Sequence, residues 1–185
     1  MPEPDDIRTV RVGCRGWQRV PWAGDYYPED LPVDWRLAYY ANEADCVLLP
    51  VAVWAGRAPD ELAGWAGEVG ERFRFFLEGD EQTPSPAVLA AFGRALGGWL
   101  ATRPVDAAGA SMTPCAVPCG RGWARGRGAL VSIDGPDRDL RGWRARFEEL
   151  RGWFGGFDEV AVILGPQASP RRARELRTLA ELMAM

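Results

Sequence analysis

Histidine and lysine are both missing from these 185 residues: all 22 basic positions are arginine, set against 26 Asp and Glu. Without an imidazole there is neither a histidine base nor a histidine metal ligand. Without lysine there is no Schiff base and no phosphate-loop lysine. Serine hydrolases of the Ser-His-Asp type, HExxH zinc enzymes and pyridoxal enzymes are excluded on composition alone. Cysteine is scarce, at four residues. No apolar run approaches the ~18 residues of a membrane span. The opening stretch MPEPDDIRTV lacks the basic and apolar regions of a secretory leader. The sequence therefore reads as a cytoplasmic protein without a membrane segment, its thiols reduced. The formal charge of −4 argues against nonspecific binding to nucleic acid or anionic membranes.

What is present suits one folded domain over residues 1–185, with 47% apolar residues to supply a core. Strand-type runs stand at TVRVGC (from Thr9), CVLLPVAV (from Cys46), RFRFFL (from Arg72), ALVSI (from Ala129) and VAVIL (from Val160). Pro50 conflicts with the second, because proline cannot donate to a ladder. Helical patterns begin at Asp34, at Pro59 and at Ser85–Pro86, where Val88, Leu89, Phe92, Leu96 and Leu100 form a stripe. Two more contain Trp143 to Phe154 and Leu176 to Met183. Residues 102–128, rich in Pro, Gly and Arg, read as an irregular insert. Strand and helix alternate, which argues for a mainly parallel sheet with crossover helices. Five clear strands are too few for an eight-stranded barrel.

Three motifs, VGCRGW at Val12–Trp17, DYYPEDLP at Asp25–Pro32 and the Tyr39–Tyr40 pair, resemble the opening of the domain of unknown function 72 family, the YecE-like proteins. The likeness runs on through Val47, Pro59 and Trp65 to Phe73–Glu78, and more weakly through Leu130–Gly135 and Val160–Pro166. The resemblance implies a TIM-type β/α barrel. Since the family is longer, it also implies a truncated barrel of about five to six mainly parallel strands, the 102–128 insert standing for the middle ones. Several polar positions of the family pattern differ here. Leu48 replaces a glutamate, Pro50 an asparagine, Val53–Trp54 an aromatic pair, and Glu78 a lysine. Ser132–Gly135 and Leu164–Pro166 depart as well. Loss of polar groups at strand ends with retention of packing residues implies a non-catalytic binding or interaction protein.

Asp134, Glu78 and Asp80 are weak candidates for a re-made catalytic site, since carboxylates alone suffice for Mg²⁺ or for glycoside hydrolysis. Such an enzyme would act on a phosphorylated or sugar substrate. Arg15 follows the first strand and would either grip an anionic ligand or pair with Glu78 or Asp134. Trp17 and Trp54 are candidate ligand-binding aromatics. Cys115 and Cys119, with Cys14 and Cys46, lack zinc-knuckle spacing and read as buried or loop thiols, so no metal or cofactor is expected. GRGWARGRG at Gly120–Gly128 reads as a linker, with an Arg/Gly nucleic-acid tract as the alternative. An opened seam would leave unpaired strand edges, which a homodimer or another protein partner would cover.

Overall fold

The computed structural model describes residues 9–18, 22, 24–79, 83–101 and 110–183. Eight strands close into one barrel in chain order: β1 Thr9–Arg15, β2 Cys46–Leu49, β3 Arg74–Glu78, β4 Leu96–Leu100, β5 Ser111–Cys115, β6 Arg121–Arg125, β7 Gly128–Ile133 and β8 Glu159–Leu164. Strand β8 returns to β1 in parallel, from Thr9 opposite Glu159 to Cys14 opposite Leu164. Every neighbouring pair is parallel except β5–β6 and β6–β7. The truncated barrel of five to six strands is thus corrected to a complete ring. The open seam that called for a homodimer or partner does not exist.

Three strands were hidden for physical reasons. Phe92, Leu96 and Leu100 lie four apart and imitate a helical stripe. The helix α4 (Pro86–Phe92) in fact stops at Gly93, whose φ of +49° departs from helical geometry. Leu96–Leu100 then runs extended, and Gly97 is required there. A Cβ at Gly97 would sit 2.4 Å from the Phe76 ring. Strands β5 and β6 are masked by Pro114, Pro118 and Gly120, which mark a hairpin rather than an unstructured insert. Residues 102–109 of that stretch lie outside the described residues. An antiparallel hairpin needs only a turn, whereas a parallel return needs a crossover of a dozen or more residues. Two antiparallel pairs therefore let 185 residues close a ring that usually takes about 250.

Helices α1 (Arg36–Ala41), α2 (Val51–Trp54), α3 (Pro59–Glu68), α4, α5 (Leu140–Phe154) and α6 (Pro170–Leu182) complete the fold. The proline conflict in the second apolar run resolves simply. β2 ends at Leu49, Pro50 is the residue before a one-turn helix, and Val51–Val53 are helical rather than extended. Ser85 caps α4 by accepting from the Val88 amide at 3.3 Å, and Asp139 caps α5 by accepting from Gly142 at 2.7 Å.

Alternation along the strands builds two apolar layers. Cys46, Leu48, Phe76, Leu100, Met112, Leu130, Ala161 and Ile163, with Trp123, fill the barrel interior. Val12, Val47, Leu49, Phe75, Leu77, Val131 and Val162 lie in the layer beneath the helices with Leu62, Phe147 and Leu176. The first two strands are stitched by Tyr40. Its hydroxyl accepts from the Cys14 amide at 2.7 Å and donates to the Cys46 carbonyl at 2.9 Å. Gly13 lies at the same place, and a Cβ there would fall 1.9 Å from the Cys46 carbonyl oxygen.

Candidate functional site

In β/α barrels, ligands meet the C-terminal ends of the strands. Here that mouth begins at Arg15, the last residue of β1. Gly16 turns the chain with φ +74° and donates its amide to the Leu48 carbonyl at 2.9 Å. The Tyr27 hydroxyl then donates to the Trp17 carbonyl at 2.6 Å and holds the loop down. Burial, the larger effect, pushes the Tyr27 phenol well above its ordinary range.

The loop so fixed aims Arg15 across β2 at Glu78, the last residue of β3. Nε and Nη2 of Arg15 donate to the two carboxylate oxygens of Glu78 at 2.5 and 2.7 Å. The backbone at Glu78 is held in turn, because the Trp54 indole N–H donates to its carbonyl at 3.0 Å. Glu78 is mostly covered, its side chain 15% exposed, while that of Arg15 is 53% exposed. A guanidinium that meets a carboxylate through two parallel bonds satisfies both oxygens at once. Arg15 thus pairs with Glu78, one of the two partners its position allowed.

The other candidates are spread out. Asp134, just beyond β7, is paired at 3.2 Å with Arg121 at the start of β6, both well exposed. Asp80 lies outside the described residues. Trp17 is buried, packed edge-on against Trp65 with ring centroids 4.9 Å apart. One side of Trp17 nevertheless lines a cavity of about 310 Å³ at the mouth, with Arg15, Gly16, Pro50, Val53 and Pro166. Trp54 is buried beside it, at 3% exposure. Its indole N–H is spent on the backbone.

The four cysteines are free thiols. Cys14 and Cys46 are buried, and burial raises the Cys46 thiol well above its usual value. Burial likewise raises the half-buried Cys115 and Cys119, with Arg146 pulling Cys119 the other way. Among the described residues, no group of three or more Cys, Asp or Glu could hold a metal ion.

Sequence reasoning missed Arg121 as a mouth residue, whereas Pro50, Val53 and Pro166, read as changed strand-end positions, do line the mouth cavity. For Arg121 a signal existed: Arg121, Trp123 and Arg125 recur at every second position. That is strand periodicity within a segment read as a linker. Trp123 is accordingly an interior residue rather than a stacking platform on a tether.

Comparison with known proteins agrees with this architecture. Residues 11–83 match the model of the family described as "Protein of unknown function DUF72". No curated protein matches the chain. The fold is similar to the crystal structure of a DUF72 family protein from Thermotoga maritima, with a TM-score of 0.57 and 13% identity over 94% of this chain and 98% of that one. It is similar also to a DUF72 family protein from Enterococcus faecalis, with a TM-score of 0.56 and 12% identity over 96% and 98% of the two chains. At these identities the likeness is one of fold.

Proposed function

We propose that this chain, a member of the DUF72 family, is a non-catalytic binding or interaction protein of the cytosol. The observation that carries this reading is the fate of the mouth carboxylates. Glu78 is gripped through both oxygens by Arg15, and Asp134 is paired with Arg121. General acid–base chemistry needs a carboxyl within reach of the substrate proton and able to exchange it. A carboxylate locked by a guanidinium serves that role poorly, and the two pairs belong to different strands. The cavity beside them, walled by Trp17, Pro50, Val53 and Pro166 with Arg15 and Gln18, suits a small group with an apolar body and one polar end. The closed ring has no open edge there, so this reading requires no second copy of the chain.

The test is a turnover screen of the purified protein against phosphodiesters and glycosides, with and without Mg²⁺, alongside a thermal-shift screen of apolar fragments. The expected result is no turnover above background, and fragment stabilisation that is lost in Val53→Trp, which fills the cavity. Turnover that disappears in Asp134→Asn or Glu78→Gln would overturn the proposal in favour of an enzyme.

Among the described residues no helix is long and apolar enough to cross a bilayer.

A further inference from the structure

The opposite end of the barrel differs in kind. Strand β6 runs against its neighbours, so its last residue, Arg125, and the turn to β7 arrive at the N-terminal mouth. There a second cavity of about 260 Å³ opens into the ring. Arg74, Arg125 and Arg127 line its wall with Asp158 and Glu159, and Phe76, Leu96 and Met112 give it an apolar floor. Arg127 is paired with Asp158 at 2.5 Å.

Beneath this wall one carboxylate serves two guanidiniums. The Glu159 Oε1 atom accepts from Nε of Arg11, which is 7% exposed and also donates to the Arg72 carbonyl. The same oxygen lies 3.9 Å from Nε of Arg74. Arg74 is largely covered, and its other contacts are the backbone carbonyls of Glu71 and Phe73. Glu71 carries its carboxylate outward to Arg94, at 2.9 Å on the exposed rim. Among the described residues two guanidiniums share the one carboxylate of Glu159, in a partly desolvated place where water screens charge poorly. Desolvation, with Arg11 second, lowers the Arg74 guanidinium from its ordinary value, as crowding of like charge in a covered place should.

We propose that this N-terminal mouth binds a phosphate group, held by Arg74 with Arg125 and Arg127 and backed by the Arg11–Glu159 pair. Guanidiniums present paired donors that match phosphate oxygens. The cavity has room for a phosphate and a short organic substituent resting on Phe76, Leu96 and Met112. It has none for a nucleic-acid helix. The shared chemistry is the phosphate dianion, whether free or as a small phosphomonoester.

The experiment is titration of the full chain with inorganic phosphate and, separately, glycerol phosphate. Calorimetry and amide chemical shifts are read at constant ionic strength. Saturable binding is expected, with shifts at Gly128 and Glu159. Binding should weaken by about tenfold or more in Arg74→Gln, as for loss of a charge-assisted bond in a covered site. Arg127→Gln, at the exposed turn, should weaken it less and guards against misfolding of the first variant. Arg144→Gln, on the outer face of α5, should leave it unchanged. Tighter binding of glycerol phosphate assigns the site to a phosphomonoester; equal or tighter binding of inorganic phosphate assigns it to the free anion. Three outcomes would overturn the proposal: no saturation by 10 millimolar of either probe, which is about the concentration where binding falls below 3 kcal/mol; unchanged affinity in folded Arg74→Gln and Arg127→Gln; or steeply salt-dependent RNA binding that phosphate does not displace.

Discussion

Two walls of the same ring are built differently. In the parallel wall, β8 and β1 share six register pairs, and Val160–Leu164 is buried at every position. In the hairpin wall, β5 meets β4 through only two register pairs, Trp99 with Ser111 and Leu100 with Met112. Arg121 and Arg125 of β6 are exposed, and Trp123 is half-buried. The parallel wall is long and its outer face is apolar beneath the helices, while its inner face carries Arg11 and Glu159 at one end and Arg15 at the other. The hairpin wall is short, and Arg121, Trp123 and Arg125, two residues apart, share the inner face of β6 with the arginines at its two ends. The comparison teaches that closing a barrel does not require equal strands. A thick wall supplies most of the buried apolar area, and a thin hairpin removes the edges.

The comparison can be broken most directly at Gly13. Substituting Gly13→Ala places a Cβ 1.9 Å from a backbone oxygen of β2, which cannot yield as a side-chain tip would. We expect loss of the cooperative fold, a cost above about 4 kcal/mol, seen by circular dichroism and denaturant melts. A stable Gly13→Ala protein would mean that the parallel wall tolerates separation of its first two strands.

A sharper contrast comes from Leu130 on β7 and Trp123 on β6, which face each other in register. Leu130 is fully buried, and Leu130→Ala should cost about 2–5 kcal/mol. Trp123→Ala should fall toward the lower end of that range, because Trp123 is partly exposed whereas Leu130 is not. Equal or reversed costs in urea unfolding would show the hairpin wall to be as heavily relied upon as the other.

Next in size is Tyr40→Phe. It deprives two buried backbone groups of partners and should cost about 2–3 kcal/mol. Burial raises the Tyr40 phenol well above its ordinary value, and Tyr26 and Tyr27 are raised as well. A folded-state value above the unfolded one means that the native protein holds protons the unfolded chain has released. Their contribution is therefore intact below about pH 10, where a free tyrosine titrates, and is lost as pH climbs beyond it. Stability should fall above about pH 10, and less steeply in Tyr40→Phe; an unchanged slope would remove Tyr40 from the account. The smallest effect belongs to Asp134→Asn. Its pair with Arg121 is exposed, so stability should change by less than about 1 kcal/mol.

Much of the thick wall was legible from residue order. Apolar runs such as VAVIL announce strands covered on both faces, and Ser85 followed by Pro86 announces a helix start. The thin wall was not legible, because its strands carry Pro114, Gly122 and arginines where a buried strand would carry valine. Leu96–Leu100 was misleading, since a four-residue spacing of leucines satisfies a helix until Gly93 intervenes. At the mouth, Arg15 and Glu78 were both visible as residues of interest. Their union depends on the turn at Gly16 and on strand register, neither of which periodicity reports. At the other mouth, Arg125 and Arg127 were seen only as part of an Arg/Gly tract, because their meeting with Arg74 follows from the reversal of β6.

The register of Thr9 with Glu159 has a consequence for how the molecule is made. The first staple of the ring waits for a partner about 150 residues further along the chain. At ~5–20 residues per second, the ribosome leaves that border bare for roughly eight to thirty seconds. Until the closing segment emerges, the nascent chain presents a naked hydrogen-bonding rim to every other nascent chain nearby. Any premature stop before Glu159 makes that condition permanent. Nonsense lesions late in the coding sequence should therefore produce aggregates rather than a smaller, working barrel.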